Sequence, residues 1–93
     1  MSVDEIKKSV ISLISKYPIT KIILFGSRAS GNSRPDSDVD LIMEFSAPIT
    51  LITLAQIKYE LEDILGVSVD VIHGPISSDD MIEVNDEVLL YAA

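Results

Sequence analysis

Two short apolar segments separated by a polar loop restrict the fold of this chain more than any other feature. The first, Ile22–Phe25, stops at Gly26-Ser27, and the second, Leu41–Met43, begins directly after Asp38-Val39-Asp40. Glycine permits a tight turn that a side chain would forbid, and such a turn exposes backbone N–H groups that can face an anion. The pattern predicts two strands with an anion-binding turn between them.

The two aspartates that open the second segment are two residues apart. If they begin a strand, both carboxylates point to the same face, because side chains alternate along a strand. Two carboxylates on one face suit Mg²⁺, which takes its remaining ligands from water and from substrate phosphates. Asp38 and Asp40 could also be solvated loop charges, but together with the Gly26-Ser27 turn they favour phosphoryl or nucleotidyl transfer.

A third aspartate lies in an apolar segment further along the chain. Asp70 interrupts Val67–Ile72, where Ser68, Asp70 and Ile72 fall on one face of a predicted strand. If this strand neighbours the one that Asp38 and Asp40 begin, the three carboxylates converge. Three such charges would repel one another strongly without a cation.

The residues around the turn resemble a known family. Gly26-Ser27, ten further residues and Asp38-Val39-Asp40 resemble the signature of the DNA polymerase beta-like nucleotidyltransferase superfamily. The fuller string, with Arg28 after the turn, is similar to the minimal nucleotidyltransferase (MNT) branch, many members of which are antitoxins of HEPN-domain ribonucleases. Ser30 departs from the branch, which often carries a second arginine there.

This resemblance implies a reaction and a set of site residues. Asp38, Asp40 and Asp70 would hold two Mg²⁺ ions, and Asp70 would also activate the attacking hydroxyl. Gly26, Ser27 and Arg28 would hold the phosphates of ATP. AMP would pass to a hydroxyl, most simply that of a tyrosine, on a HEPN toxin.

Other functions fit parts of the same sequence. An antitoxin could neutralise its toxin by binding alone, and a nucleotidyltransferase could modify a small molecule, although 93 residues leave no room for a second substrate domain. A P-loop would need lysine after Gly31, where Asn32 stands. Arg28 could bridge to Asp36 instead of a phosphate. We expect the acceptor side of the site to be open at the edge of the sheet.

Apolar periodicity and cap residues predict the element order. The predicted fold is α/β (α+β), a single domain over residues 1–93 with a small mixed sheet of about four strands flanked by helices. Predicted helices cover 2–16 and 50–65, and predicted strands cover 20–25, 38–45, 67–72 and 88–91, the last at a sheet edge. Residues 27–31 and 77–84 are predicted short helices or turns, with a loop at 32–37.

Net charge and apolar content indicate which classes of partner this chain can bind. The net charge of −8 disfavours direct nucleic-acid binding, which needs a basic surface. The apolar fraction of 47% is high for a small chain and favours a protein partner that covers part of the surface. No apolar segment is long enough for a membrane helix, and no cysteine is present, so we expect a cytoplasmic protein without a disulfide framework.

Overall fold

The computed structural model describes residues 2–26, 38–74 and 87–93. These residues form two helices and four strands: α1 Val3–Ile11, β1 Ile19–Phe25, β2 Val39–Phe45, α2 Leu51–Leu65, β3 Val69–His73 and β4 Glu87–Ala92. The predicted short helices or turns at 27–31 and 77–84 and the predicted loop at 32–37 lie outside the described residues. No helix in the described part of the chain has the length and apolar content to cross a bilayer.

Helix α1 is shorter than its apolar periodicity predicts. It begins as predicted at Ser2, whose hydroxyl accepts a hydrogen bond from the Glu5 N–H at 3.2 Å. It ends at Ile11 instead of residue 16, because the following N–H groups bond to carbonyls three residues back, as that of Leu13 does to Val10. These tight turns still bury Leu13, so a pattern of buried residues continues past the end of the helix.

Helix α2 has both predicted ends. The Thr50 hydroxyl accepts a hydrogen bond from the Thr53 N–H at 3.1 Å, which satisfies a free donor of the first turn. Gly66 ends the helix in the left-handed conformation, with φ of +73°, and its N–H donates to the Glu62 carbonyl at 2.8 Å. Glu60 ties this helix to the turns after α1, since its carboxylate accepts hydrogen bonds from Lys16 Nζ and the Tyr17 hydroxyl.

The four strands form one mixed sheet in the order β3-β2-β1-β4. Strand β1 is central and antiparallel to both of its neighbours, whereas β2 and β3 are parallel. Helix α2 lies between β2 and β3 in the chain and makes the crossover that a parallel pair requires. The predicted fold class is confirmed, and so is the edge position of the last strand.

The two faces of the sheet differ in chemistry. One face packs against the helices and forms the hydrophobic core, with fully buried side chains from β1, β2 and β3: Ile22, Leu24, Val39, Leu41, Met43 and Val69. The other face, which we call the carboxylate face, carries Asp40, Ile42, Asp70 and Ile72. The strand pattern therefore separates core residues from the predicted site residues.

Candidate active site

Asp40 and Asp70 are direct neighbours across two parallel strands. The Cα of Asp40 in β2 pairs with the Cα of Asp70 in β3, and both side chains lie on the carboxylate face. Asp40 is half-buried, while Asp70 is exposed on the outer strand of the sheet. Asp38 is exposed and directly precedes β2. The sequence predicted that the carboxylates converge only if these two strands are neighbours, and in the fold they are neighbours.

Gly26 brings the turn after β1 against the Asp40 carboxylate. Gly26 has φ of +78°, in the left-handed region that side chains disfavour. A Cβ atom at this position would lie 2.6 Å from Asp40 Oδ2, which is too close for any real contact. The missing side chain thus leaves the space that the carboxylate oxygen occupies.

The environment of Asp40 favours its protonated form. Burial raises the pKa of the Asp40 carboxyl above its usual range, and the nearby charges of Asp70 and Asp38 raise it further. A hydrogen bond between the Asp40 and Asp70 carboxyl groups acts in the same direction. The fold therefore holds Asp40 where its negative charge is disfavoured unless a positive charge comes near.

The chemistry of these side chains matches a hard divalent cation. Carboxylate oxygens are the ligands that Mg²⁺ prefers, and a cation beside Asp40 would offset both burial and repulsion. Within residues 2–26, 38–74 and 87–93, however, no three acidic or histidine side chains lie close enough together to coordinate one ion. The donor set thus fits Mg²⁺ in kind, with Asp40 and Asp70 paired across the two strands.

Two of the predicted site residues cannot be placed. Ser27 and Arg28, which the resemblance assigns to the ATP phosphates, lie outside the described residues. Gly26 is described, but its close approach to Asp40 was not part of the prediction. No sequence signal reveals it, because it depends on the pairing of Phe25 with Asp40 in the sheet, which places the next residue of the turn beside that carboxylate.

Comparison with known proteins identifies the domain. Residues 3–88 match the family model described as nucleotidyltransferase domain. A putative protein adenylyltransferase of Methanocaldococcus jannaschii is 38% identical over 72 residues, which cover 77% of each chain. The structure of a putative minimal nucleotidyltransferase superposes with a TM-score of 0.74 and 30% identity, and the match covers 95% of both chains.

Two toxin–antitoxin structures share the same fold at lower identity. A structure described as a toxin–antitoxin with AMP-PNP matches with a TM-score of 0.79 and 20% identity, over 94% of this chain and 73% of that one. A structure described as a tri-AMPylated Shewanella oneidensis HEPN toxin in complex with MNT antitoxin matches with a TM-score of 0.72 and 17% identity, over 97% and 72%. With a family model that spans most of the chain and relatives of this similarity, the protein belongs to the nucleotidyltransferase family, in its minimal nucleotidyltransferase branch.

Proposed function

We propose that this protein is an Mg²⁺-dependent protein adenylyltransferase that transfers AMP from ATP to a tyrosine hydroxyl of a HEPN-domain toxin and thereby acts as its antitoxin in the cytoplasm. One observation carries the proposal: within a nucleotidyltransferase domain, Asp40 and Asp70 are paired in register beside the Gly26 turn. The names of the relatives support the reaction, and the AMPylated HEPN complex among the structural neighbours supports the acceptor.

The proposed transfer is an in-line displacement at the α-phosphorus of ATP. The hydroxyl oxygen of the acceptor forms a bond to this phosphorus, and the bond between the phosphorus and the oxygen bridging to the β-phosphate breaks. The electron pair of that bond leaves with pyrophosphate. The hydroxyl proton passes to the exposed carboxylate of Asp70, which is open to an incoming acceptor.

The other predicted residues hold the nucleotide and its charge. Gly26, Ser27 and Arg28 bind the β- and γ-phosphates, which become the leaving group. Asp38, Asp40 and Asp70 would hold Mg²⁺, and a bound Mg²⁺ would supply charge stabilisation at the phosphate oxygens. Asp40 is the residue most dependent on that cation, because burial and like charges disfavour its ionised form.

A mass measurement on the acceptor tests the proposal. Purified protein, Mg-ATP and a cognate HEPN protein should give an acceptor whose mass increases by one or more AMP units, with loss of ribonuclease activity. The double variant Asp38→Ala, Asp40→Ala should still bind the acceptor without adding AMP. Asp63→Ala is the matched control, since it removes an exposed carboxylate from α2, away from the site.

The alternatives give different results in the same experiment. If the acceptor gains no AMP and the double variant neutralises it as well as the wild type, the protein is an antitoxin that acts by binding alone. If AMP appears on a small molecule instead, the acceptor part of the proposal is wrong while the nucleotidyltransferase part stands.

A further inference from the structure

Strand β3, which carries Asp70, lies at the end of the sheet. Its backbone groups at alternate residues pair with β2: the Val39 N–H donates to the Ser68 carbonyl at 2.9 Å, and the Gly74 N–H donates to Met43. In a parallel ladder every second residue bonds to the neighbouring strand, and the residues in between direct their N–H and C=O groups to the other side. On β3 the residues that face β2 are the even-numbered ones from 68 to 74. Val69, Val71 and His73 therefore present their backbone groups to the outer edge.

The first N–H on this outer edge already has a partner. The Val69 N–H donates to Glu62 Oε2 at 2.9 Å, so a side chain from α2 caps the beginning of the edge. Within the ranges 2–26, 38–74 and 87–93, no such partner exists for the N–H groups of Val71 and His73. In the described part of the chain, the unpaired edge of β3 therefore begins after Val69 and is centred on Val71.

The side chains beside this edge belong to the candidate site. Asp70 and Ile72 both point to the carboxylate face and are both exposed, and the exposed fraction of Ile72 is 40%. If an antiparallel strand paired with Val71, then Asp70 and Ile72 would occupy non-hydrogen-bonded positions, where opposing Cα atoms are only about 4.5 Å apart. A side chain opposite Asp70 would then lie beside its carboxylate.

We propose that the acceptor protein binds as an extended segment that adds to β3 as an antiparallel fifth strand. The acceptor hydroxyl lies on the residue opposite Asp70. An apolar residue two positions earlier in the segment lies opposite Ile72, because an antiparallel strand runs in the reverse direction. This inference rests on the proposed function and names the way in which its acceptor is held.

The charge around β3 also favours one kind of acceptor segment. The chain carries a net charge of −8, and the carboxylates of Asp70 and Glu62 lie beside this edge. A segment without acidic residues is therefore favoured, since like charges directly opposite one another on neighbouring strands are destabilising.

Backbone methylation of the acceptor provides the test. In synthetic peptides that span the modified tyrosine of the HEPN protein, the residue just before the tyrosine would pair with Val71. Methylating the backbone nitrogen of that residue should lower kcat/KM for AMP transfer at least about tenfold, the loss expected from one hydrogen bond and a steric clash. Methylating the tyrosine nitrogen, which would point away from β3, is the matched control.

A protein variant tests the same contact from the other side. Val71→Pro removes an outward N–H that the β2 ladder does not use, and Val71→Ala removes the same side chain but keeps that N–H. We expect Val71→Pro to raise the KM for the acceptor about tenfold relative to Val71→Ala, with the KM for ATP equal in the two variants.

The outcomes separate this inference from the proposed function. If wild-type protein transfers AMP but both methylated peptides react equally well, strand addition at β3 is wrong and the adenylyltransferase proposal stands. If the wild type transfers no AMP to protein or peptide, both fail. Should Val71→Pro not fold, the peptide comparison on the wild-type protein still decides between them.

Discussion

Neighbouring residues of β2 face opposite environments, and their comparison separates stability from chemistry. Leu41 is fully buried in the core beneath the helices, whereas Asp40 is half-buried on the carboxylate face beside Asp70. Burial of Leu41 stabilises the fold. Burial of Asp40 opposes folding at neutral pH, because it disfavours the charge that the proposed reaction needs. A single strand thus supports the fold with one side and the site with the other.

The strongest test of this comparison exchanges each neighbour for alanine. Asp40→Ala should reduce AMP transfer by at least about a hundredfold, with no loss in the free energy of unfolding. Leu41→Ala should instead lower the free energy of unfolding by about 2–5 kcal/mol, because it leaves a cavity in the core. Transfer rates and urea unfolding curves measure both effects. A marked loss of stability in Asp40→Ala would contradict the division between the two faces.

Two glycines of the described residues adopt the left-handed conformation and provide a second, smaller test. Gly26 and Gly66 have nearly equal φ values, +78° and +73°, but a Cβ at Gly66 would meet nothing within 4 Å. Gly66→Ala therefore measures the cost of the backbone conformation alone, about 1–2 kcal/mol. Gly26→Ala should cost at least about 1 kcal/mol more, because its Cβ would strike Asp40 Oδ2.

A double variant assigns that extra cost to Asp40. In the Asp40→Ala background the carboxylate is gone, so Gly26→Ala should cost about as much as Gly66→Ala does. Urea unfolding of the single and double variants measures the coupling. An excess cost that persists without the carboxylate would mean that Gly26 does not make room for Asp40.

The smallest expected effect is a contrast in pH dependence between Asp40 and Glu60. The pKa of Asp40 is raised, so the folded chain binds its proton more tightly, and stability falls as pH rises above the ordinary value of 3.8. Hydrogen bonds from Lys16 and Tyr17 lower the pKa of Glu60, so its contribution is present above 4.5 and is lost as pH falls.

Thermal melting of two amide variants checks the opposite signs. At pH 7, Asp40→Asn should raise the midpoint and Glu60→Gln should lower it slightly, since Glu60 is only partly buried. Both differences should shrink as the pH approaches 4. If Asp40→Asn lowered the midpoint at pH 7, the unfavourable burial of the Asp40 charge would be contradicted.

Sequence patterns predict the elements well where local chemistry decides them. Alternation along β2 and β3 assigns Asp40 and Asp70 to one face, and the caps at Thr50 and Gly66 fix α2. The end of α1 is not predictable in this way, because tight turns keep Leu13 buried at helix-like spacing. Strand β3 begins two residues later than predicted, at Val69, where the Glu62 carboxylate accepts the first outward N–H.

The site is predictable in composition and less so in geometry. The register between β1 and β2 depends on contacts distant in the chain, so the approach of Gly26 to Asp40 could not be read from spacing. The roles of Asp38, Asp40 and Asp70 in binding metal stay predictions, as do those of Ser27 and Arg28 in binding ATP. The extent of the domain over residues 1–93 likewise stays a prediction.

Asp70 also favours the observed register of β3 against β2. If β3 slipped by one residue against β2, every side chain of β3 would change faces, and Asp70 would enter the core beneath the helices. An unpaired carboxylate buried there would cost several kcal/mol, far more than the chain gains from the slipped ladder. The Asp70 carboxylate, which repels that of Asp40 in the finished sheet, therefore makes the slipped sheet less stable still.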